Sequence, residues 1–201
     1  MARPSAPILS ADKIARTALA LVDTTGEFTV NGVAAKLGVR PSSLYNHVAG
    51  KVEIVEAMRG LVFADGALVL DPESSWDETL PQMLRAYRDA FAQHPRLIPM
   101  LTAYTVVAPR VMEMYGVLAT VLVRAGVPDD RLLDAITVMD SYVIGSALDL
   151  AAPDLVWDPE SATSDAMRSA IEAAPRGRAR ADQSFELGLE IVLRGVLALA
   201  D

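Results

Sequence analysis

The sequence predicts an all-α protein, with a short N-terminal three-helix unit ahead of a larger helical part. Three observations carry this. Apolar residues recur three and four apart, as one face of a helix requires, and do not alternate over strand-like windows. Start and stop signals for helices punctuate the chain from end to end. Two very short helical stretches also lie back to back around Gly38-Val39-Arg40. Neither can stand alone, since isolated helices under about 12 residues are marginal in water.

The elements follow in order. Ser10 caps a first helix to about residue 24, with Ile14, Ala18, Leu21 and Val22 on one face, and Gly26 ends it. Thr29 caps a second helix over 30–37, stopped by Gly38. Pro41 suits the first turn of a third, to about His47. After Gly50 a long fourth helix runs from Lys51 to about Leu68, closed by Asp71-Pro72. Ser75 and Glu78 form a capping box for a fifth helix, which ends before His94-Pro95. Helical pieces are expected around 96–105 and 108–125, with Gly126-Val127-Pro128 as a stop. Asp129 or Asp130 starts a long helix to about 151. Residues 152–163 read as a loop, 164–174 as a modest helix, 175–180 as a basic turn, and 183–200 as the last helix.

Composition narrows the function. Apolar residues make up 52% of the 201 and charged residues 22%, which excludes a disordered chain. Folding at this length buries about 70% of the unfolded surface, so no staple is needed. The absence of cysteine removes disulfides, thiolate metal sites and a cysteine nucleophile. No apolar run approaches the roughly 18 residues of a membrane span, and Asp65 breaks the best candidate, 61–70. The first ten residues contain no apolar secretory core. The expectation is a soluble, cytoplasmic protein with no membrane partner.

The net charge is −8, yet it is unevenly spread. Residues 1–60 carry seven Lys+Arg against five Asp+Glu, and all three lysines lie within the first 51 positions. The acidic excess lies wholly in 61–201. Such asymmetry points to an anionic partner for the N-terminal part.

Residues 29–51, TVNGVAAKLGVRPSSLYNHVAGK, sharpen that reading. Val33, Leu37, Val39, Leu44 and Val48 pack the two short helices together, Ala34 and Ala35 allow close approach, and Gly38 permits the turn. This is the pattern of a helix-turn-helix. Arg40, Pro41, Ser42, Ser43, Tyr45 and Asn46 are left on the outside of the third helix, with no acid among them. Hydroxyls, an amide and an aromatic ring suit base edges in a major groove. Thr29 and Lys51, with the N-terminal turns of the second and fourth helices, suit phosphates. The plainer alternative is a helical hairpin with a solvated polar face.

These residues resemble the N-terminal signature of the TetR family of bacterial transcriptional repressors. The similarity runs over about 10–60. It comprises the first helix, a Thr-Val-x-x-Val-Ala-x-x-Leu-Gly-Val second helix, Leu-Tyr-x-His-Val, and a Lys opening the fourth. The Tyr45-Asn46 pair is similar to the tetracycline-repressor-like branch. The resemblance implies that Pro41, Ser42, Ser43, Tyr45 and Asn46 face the major groove of double-stranded operator DNA. It also implies that Thr29, Tyr45, His47 and Lys51 meet phosphates. Ala49-Gly50 depart from the more polar residues of other members at that point.

The larger part then reads as a ligand-binding and dimerisation domain, 71–201, joined to the helix-turn-helix domain, 1–50, by a linking helix, 51–70. The last helix is apolar around most of its girth, with Glu186, Glu190 and Arg194 as its polar stripe. The helix after Asp129 is similar. Such helices are buried on more than one side, either in a monomer core or in a subunit interface. The resemblance implies the interface, a homodimer through the last long helices, with Tyr142, Leu187, Ile191, Val192 and Leu199 as candidates. A small-molecule effector pocket is expected between helices 4 and 8. Its candidates, deformable Met and two-natured Tyr, are Met83, Tyr87, Met100, Tyr104, Met112, Tyr115, Met139 and Tyr142. For any one of them, ordinary core packing is the competing role.

Enzyme readings find little. There are two histidines, His47 in the recognition segment and His94 at a helix end, where it suits capping of carbonyls. No nucleophile-elbow, P-loop or dinucleotide fingerprint occurs. No cofactor and no metal site are expected, and Trp76 and Trp157 read as packing or interface residues rather than ligand contacts.

Overall fold

The computed structural model describes residues 9–65 and 75–200. Among these, ten α-helices and short 3-10 segments account for the regular structure, without a strand. In chain order they are α1 (Ala11–Thr25), α2 (Val30–Leu37), α3 (Pro41–Leu44), α4 (Lys51–Asp65), α5 (Trp76–Ala92), α6 (Ile98–Leu101), α7 (Pro109–Arg124), α8 (Leu132–Asp149), α9 (Asp165–Ala173) and α10 (Gly177–Leu197). The expected end of the fourth helix near Leu68 and its stop at Asp71-Pro72 lie outside the described residues, as do the first eight positions.

The helices gather into two compact units, one of residues 1–67 with 93–117, the other of 68–92 with 118–201. Chain order alone suggested divisions at 50 and 70. The segment 93–117 in fact groups with the N-terminal helices.

In the first unit, α1 forms because its apolar residues fall on one face and both ends are closed. The Ser10 hydroxyl accepts from the Lys13 N–H at 3.2 Å. At the other end Gly26 takes φ +84°, where its N–H reaches the Val22 carbonyl at 2.7 Å. Ile14, Ala15, Ala18, Leu19 and Val22 are buried, and α1 packs chiefly on α4, whose Ile54, Val55, Met58 and Val62 are buried in turn. The short α2 and α3 complete a three-helix core through Val33, Ala34, Leu44, Val48 and Phe28. Of the two alanines expected at the close approach, Ala34 is buried and Ala35 is exposed.

In the second unit, α8 packs against both α5 and α10. Leu80, Leu84, Phe91, Leu118, Leu122, Met139, Val143, Phe185 and Leu189 are its buried apolar residues of note. Pro81 lies inside α5, where it has no N–H to donate to the preceding turn. The stop before α8 holds as read: Gly126 has φ +94°, and a 3-10 turn at Asp129–Arg131 leads into the helix. Ser164 caps α9 by accepting from the Met167 N–H.

Two expectations are corrected. The third helix ends at Leu44 rather than about His47. Residues 45–47 form a turn in which the N–H groups of His47 and Val48 both bond to the Leu44 carbonyl. The last helix begins at Gly177, so the expected basic turn is mostly helix. Arg180 ties this turn to the rest of the unit. It is buried, its Nη2 holds Asp149 at 2.8 Å, and its guanidinium lies 5.6 Å from the Trp157 ring centre. Past Gly177 the run Arg178-Ala179-Arg180-Ala181 consists of strong helix formers, and the pairing of Arg180 adds a tertiary tie to that first turn.

Candidate nucleic-acid interface

The geometry around α3 starts from its anchors. Leu44 is fully buried and Val48 nearly so, which fixes the rotation of the segment. Arg40, Pro41, Ser42, Tyr45, Asn46 and His47 are consequently exposed, with Ser43 half-buried, and no carboxylate lies among them. Tyr45 is 57% exposed, a large apolar ring held in water by the burial of its neighbour. The helix starts at a proline, which needs no N–H there.

The flanks are built as carefully. Thr29 has its hydroxyl on the Gly32 N–H at 2.9 Å, so its first task is to cap α2. A methyl group at Gly32 would lie 3.1 Å from that hydroxyl, which accounts for a glycine in the first turn. Lys51 is exposed, and its ammonium sits 5.3 Å from the ring centre of Phe28. This cation–π contact orients the charge while leaving it open to a phosphate. Phe28 was not among the sequence-read residues, and a lone Phe between two helices carries no motif. The Glu53 carboxylate accepts from the Ala49 N–H, which stiffens the Ala49-Gly50 entry to α4.

Deeper in the first unit, α4 carries a buried ion pair that the sequence did not reveal, Glu56 with Arg59. His94 faces the Asp23 carboxylate at 2.9 Å, and it is Arg96 that donates to the terminal carbonyls of α1, at Asp23 and Thr24. The capping expected of His94 therefore belongs to its neighbour two residues on.

The expected effector residues are divided between the units. Met100, Tyr104 and Tyr115 are half-buried and Met112 exposed in the first, whereas Met83, Tyr87 and Met139 are buried in the second. Tyr142, half-buried in the second, donates its hydroxyl to the Phe185 carbonyl at 2.5 Å and stacks on the Phe185 ring. A cavity of about 660 Å³ in the first unit is lined by none of the eight. It lies against Ala11, Ala15, Ala57 and Gly60, with Arg16 and Arg110 among its charged neighbours.

The expected interface residues differ in exposure. Leu187 and Ile191 on α10 are 61% and 62% exposed, and Leu133 on α8 is 78% exposed. Val192 and Leu199 are half-buried. Among the described residues no helix is long and apolar enough to cross a membrane.

A helix-turn-helix core with an acid-free outer face, followed by a larger set of helices, defines a helix-turn-helix regulator by class. Residues 70–200 match the family model for the tetracyclin repressor-like C-terminal domain, and the chain belongs to that family. It is 28% identical over 144 residues to the HTH-type transcriptional repressor DrrR1 of Streptomyces coeruleorubidus, covering 70% of this chain. That match spans about half, 53%, of DrrR1's own length. It is 25% identical to the tetracycline repressor protein class A from transposon 1721 of Escherichia coli, over 94% of this chain and 90% of that one. Among solved structures, the Streptomyces coelicolor TetR family protein ActR in complex with actinorhodin superposes with a TM-score of 0.78. Its identity is 25%, over 97% of this chain and 99% of that one.

Proposed function

We propose that this chain is a transcriptional repressor that binds a palindromic double-stranded operator as a homodimer and releases it when a small-molecule effector binds. The observation that carries the reading is the outer face of α3 and its following turn. Ser42, Tyr45 and Asn46 are exposed and Ser43 half-buried, with no acidic residue in the run 40–48, and Thr29 and Lys51 flank the segment in sequence. A single such head reads few base pairs, and a twofold pair meets successive major grooves roughly 34 Å apart. The exposed Leu187 and Ile191, one turn apart on α10, with the exposed Leu133 on α8, supply apolar surface for the pairing. The place of action is the cytoplasm, where the operator is.

DrrR1 is named as a repressor and ActR was solved with actinorhodin, which supports a regulator of this type for this chain. The effector residues proposed are the members of the Met and Tyr set that lie in the second unit, Met83, Tyr87, Met139 and Tyr142. Selection of bound duplexes from a random pool, followed by anisotropy titration at several salt concentrations, tests the proposal. An inverted repeat bound with a steep negative salt slope is expected. Failure to select any repeat, or binding insensitive to salt, removes it.

A further inference from the structure

Arg88 is a buried charge with two donors unaccounted for among the described residues. It lies on α5 and is only 4% exposed. Its Nη1 donates to Asp182 at 2.7 Å, and its guanidinium lies 4.4 Å from the Phe185 ring centre. Its Nε and Nη2 have no hydrogen-bond partner among the described residues. Buried donors on a charged group are costly to leave unmade, and most buried polar atoms in folded proteins are satisfied.

The two donors are not an arbitrary pair. Nε–H and Nη2–H share one edge of the planar guanidinium and point the same way, a fork that matches the two oxygens of a carboxylate. The same helix shows the fork in use. Three residues earlier, Arg85 grips Glu186 with that edge, Nε to Oε1 at 2.9 Å and Nη2 to Oε2 at 2.6 Å. Arg88 presents an equivalent fork, and the Asp182 and Glu186 carboxylates are already engaged. Glu186 is held by Arg85, while Asp182 is shared between Arg88 and Arg178. Neither Asp182 nor Glu186 bonds to this edge of Arg88. One added carboxylate would satisfy both donors. The Phe185 ring, itself buried and stacked with Tyr142 at 5.6 Å between centres, holds the guanidinium in place and makes its surroundings apolar.

We propose that the Nε–Nη2 edge of Arg88 is the anchor for a carboxylate on the effector, so that the effector class is an aromatic or otherwise largely apolar monocarboxylic acid. This rests on the effector-responsive reading above. The acidic balance of residues 61–201 disfavours anions at long range, but a buried fork acts at contact distance, where that field is the smaller effect. Lysine cannot replace it, because an ammonium offers a point charge without the fork.

The test uses the full chain and four probes: benzoate and 1-naphthoate, with benzamide and 1-naphthamide as neutral partners. The Nε–Hε resonance of Arg88, assigned by its loss in Arg88→Lys, is followed by two-dimensional proton–nitrogen spectroscopy. The acids should move it downfield and the amides should not, and Arg88→Lys should bind 1-naphthoate at least about tenfold more weakly. If the resonance moves with neither acid, the edge holds water alone and the proposal falls. Equal 1-naphthoate affinity in parent and a folded Arg88→Lys also overturns it. Where Arg88→Lys does not fold, Arg88→Gln supplies the assignment and the comparison, and the parent's titration still decides. Operator binding by the parent is measured separately. A responsive Arg88 in a chain that binds no operator would sink the repressor reading alone, and an unresponsive Arg88 in an operator-binding chain would sink this proposal alone.

Discussion

Glu56 and Arg59, one turn apart on α4, form an ion pair at 2.9 Å, and each caps a different neighbouring helix. Arg59 Nη2 donates to the Leu101 carbonyl at 2.8 Å and to the Tyr104 carbonyl at 3.2 Å, at the C-terminal end of α6. Glu56 Oε2 accepts from the Val107 and Ala108 N–H groups at 2.8 and 2.9 Å, at the N-terminal end of α7. Positive charge at a C-terminus and negative charge at an N-terminus is the arrangement helix dipoles favour. The pair ties α4, whose first residue is Lys51, to the connection between α6 and α7.

The first prediction concerns that pair. Both side chains are under a tenth exposed, so removing one leaves a buried charge and several unpaired backbone groups. Arg59→Ala or Glu56→Ala should cost about 3 kcal/mol or more of stability. The double variant should cost less than the sum of the two. Urea unfolding of the three variants measures this, and additive losses would show that the side chains act separately.

The second concerns DNA. Lys51→Ala should weaken binding to all duplexes alike and reduce the salt slope by about one charge. Tyr45→Ala should cost about tenfold in operator affinity with the fold intact, because the ring is exposed and supports no core. Changes at Ser43 and Asn46 should alter base preference. Anisotropy titrations on matched and mismatched repeats decide these points, and parent-like binding by both alanine variants would show that α3 is not the reading element.

Assembly is the subject of the third. Ile191 is 62% exposed in the single chain, so Ile191→Lys leaves the monomer core untouched. The charge should yield folded monomers and abolish tight operator binding, because it would be buried in a twofold interface. Sedimentation with circular dichroism checks both halves. A dimeric Ile191→Lys protein would place the interface elsewhere.

Acid stability supplies the fourth. The hydrogen bond from Arg88 holds the Asp182 carboxyl below its usual 3.8, and that from Arg85 holds Glu186 below its usual 4.5. Burial opposes both shifts more weakly. A carboxylate with a depressed folded pKa binds fewer protons when folded than when unfolded. Its stabilisation is therefore complete above the unfolded pKa and is lost as pH falls through the folded one. Thermal melts should hold steady down to about pH 5 and fall below pH 4. The fall should be shallower in Asp182→Asn and Glu186→Gln, whose partners lose a titrating group. An unchanged acid slope in both variants would assign the loss to other carboxylates. The pairs are about half exposed at the carboxylate, so the effect is modest.

Local signals by themselves determined most of the helices, because what makes them is local. Ser10, Thr29 and Ser164 are caps whose hydroxyls bond a backbone N–H three residues on. Gly26, Gly38 and Gly126 stop helices by entering the left-handed region that other residues avoid. The outer face of α3 was legible for the same reason. Burial of Leu44 and Val48 at helical spacing dictates what remains outside, and the TetR-like motif lies in one continuous stretch of sequence.

Only the tertiary structure decided the contacts between distant positions. Glu56 reaches residues 107 and 108, Arg59 reaches 101 and 104, and Arg88 meets Asp182 across nearly a hundred positions. No spacing rule connects them, since each depends on which helices pack together. The same holds for residues 93–117, which chain order places in the larger domain and packing gathers with the N-terminal helices. It also holds for the first turns of α10, where Arg180, buried and bound to Asp149 by a hydrogen bond of 2.8 Å, ties the helix to α8. Caps and apolar periods act over three or four residues and can be read in order, whereas buried charges find partners through the fold.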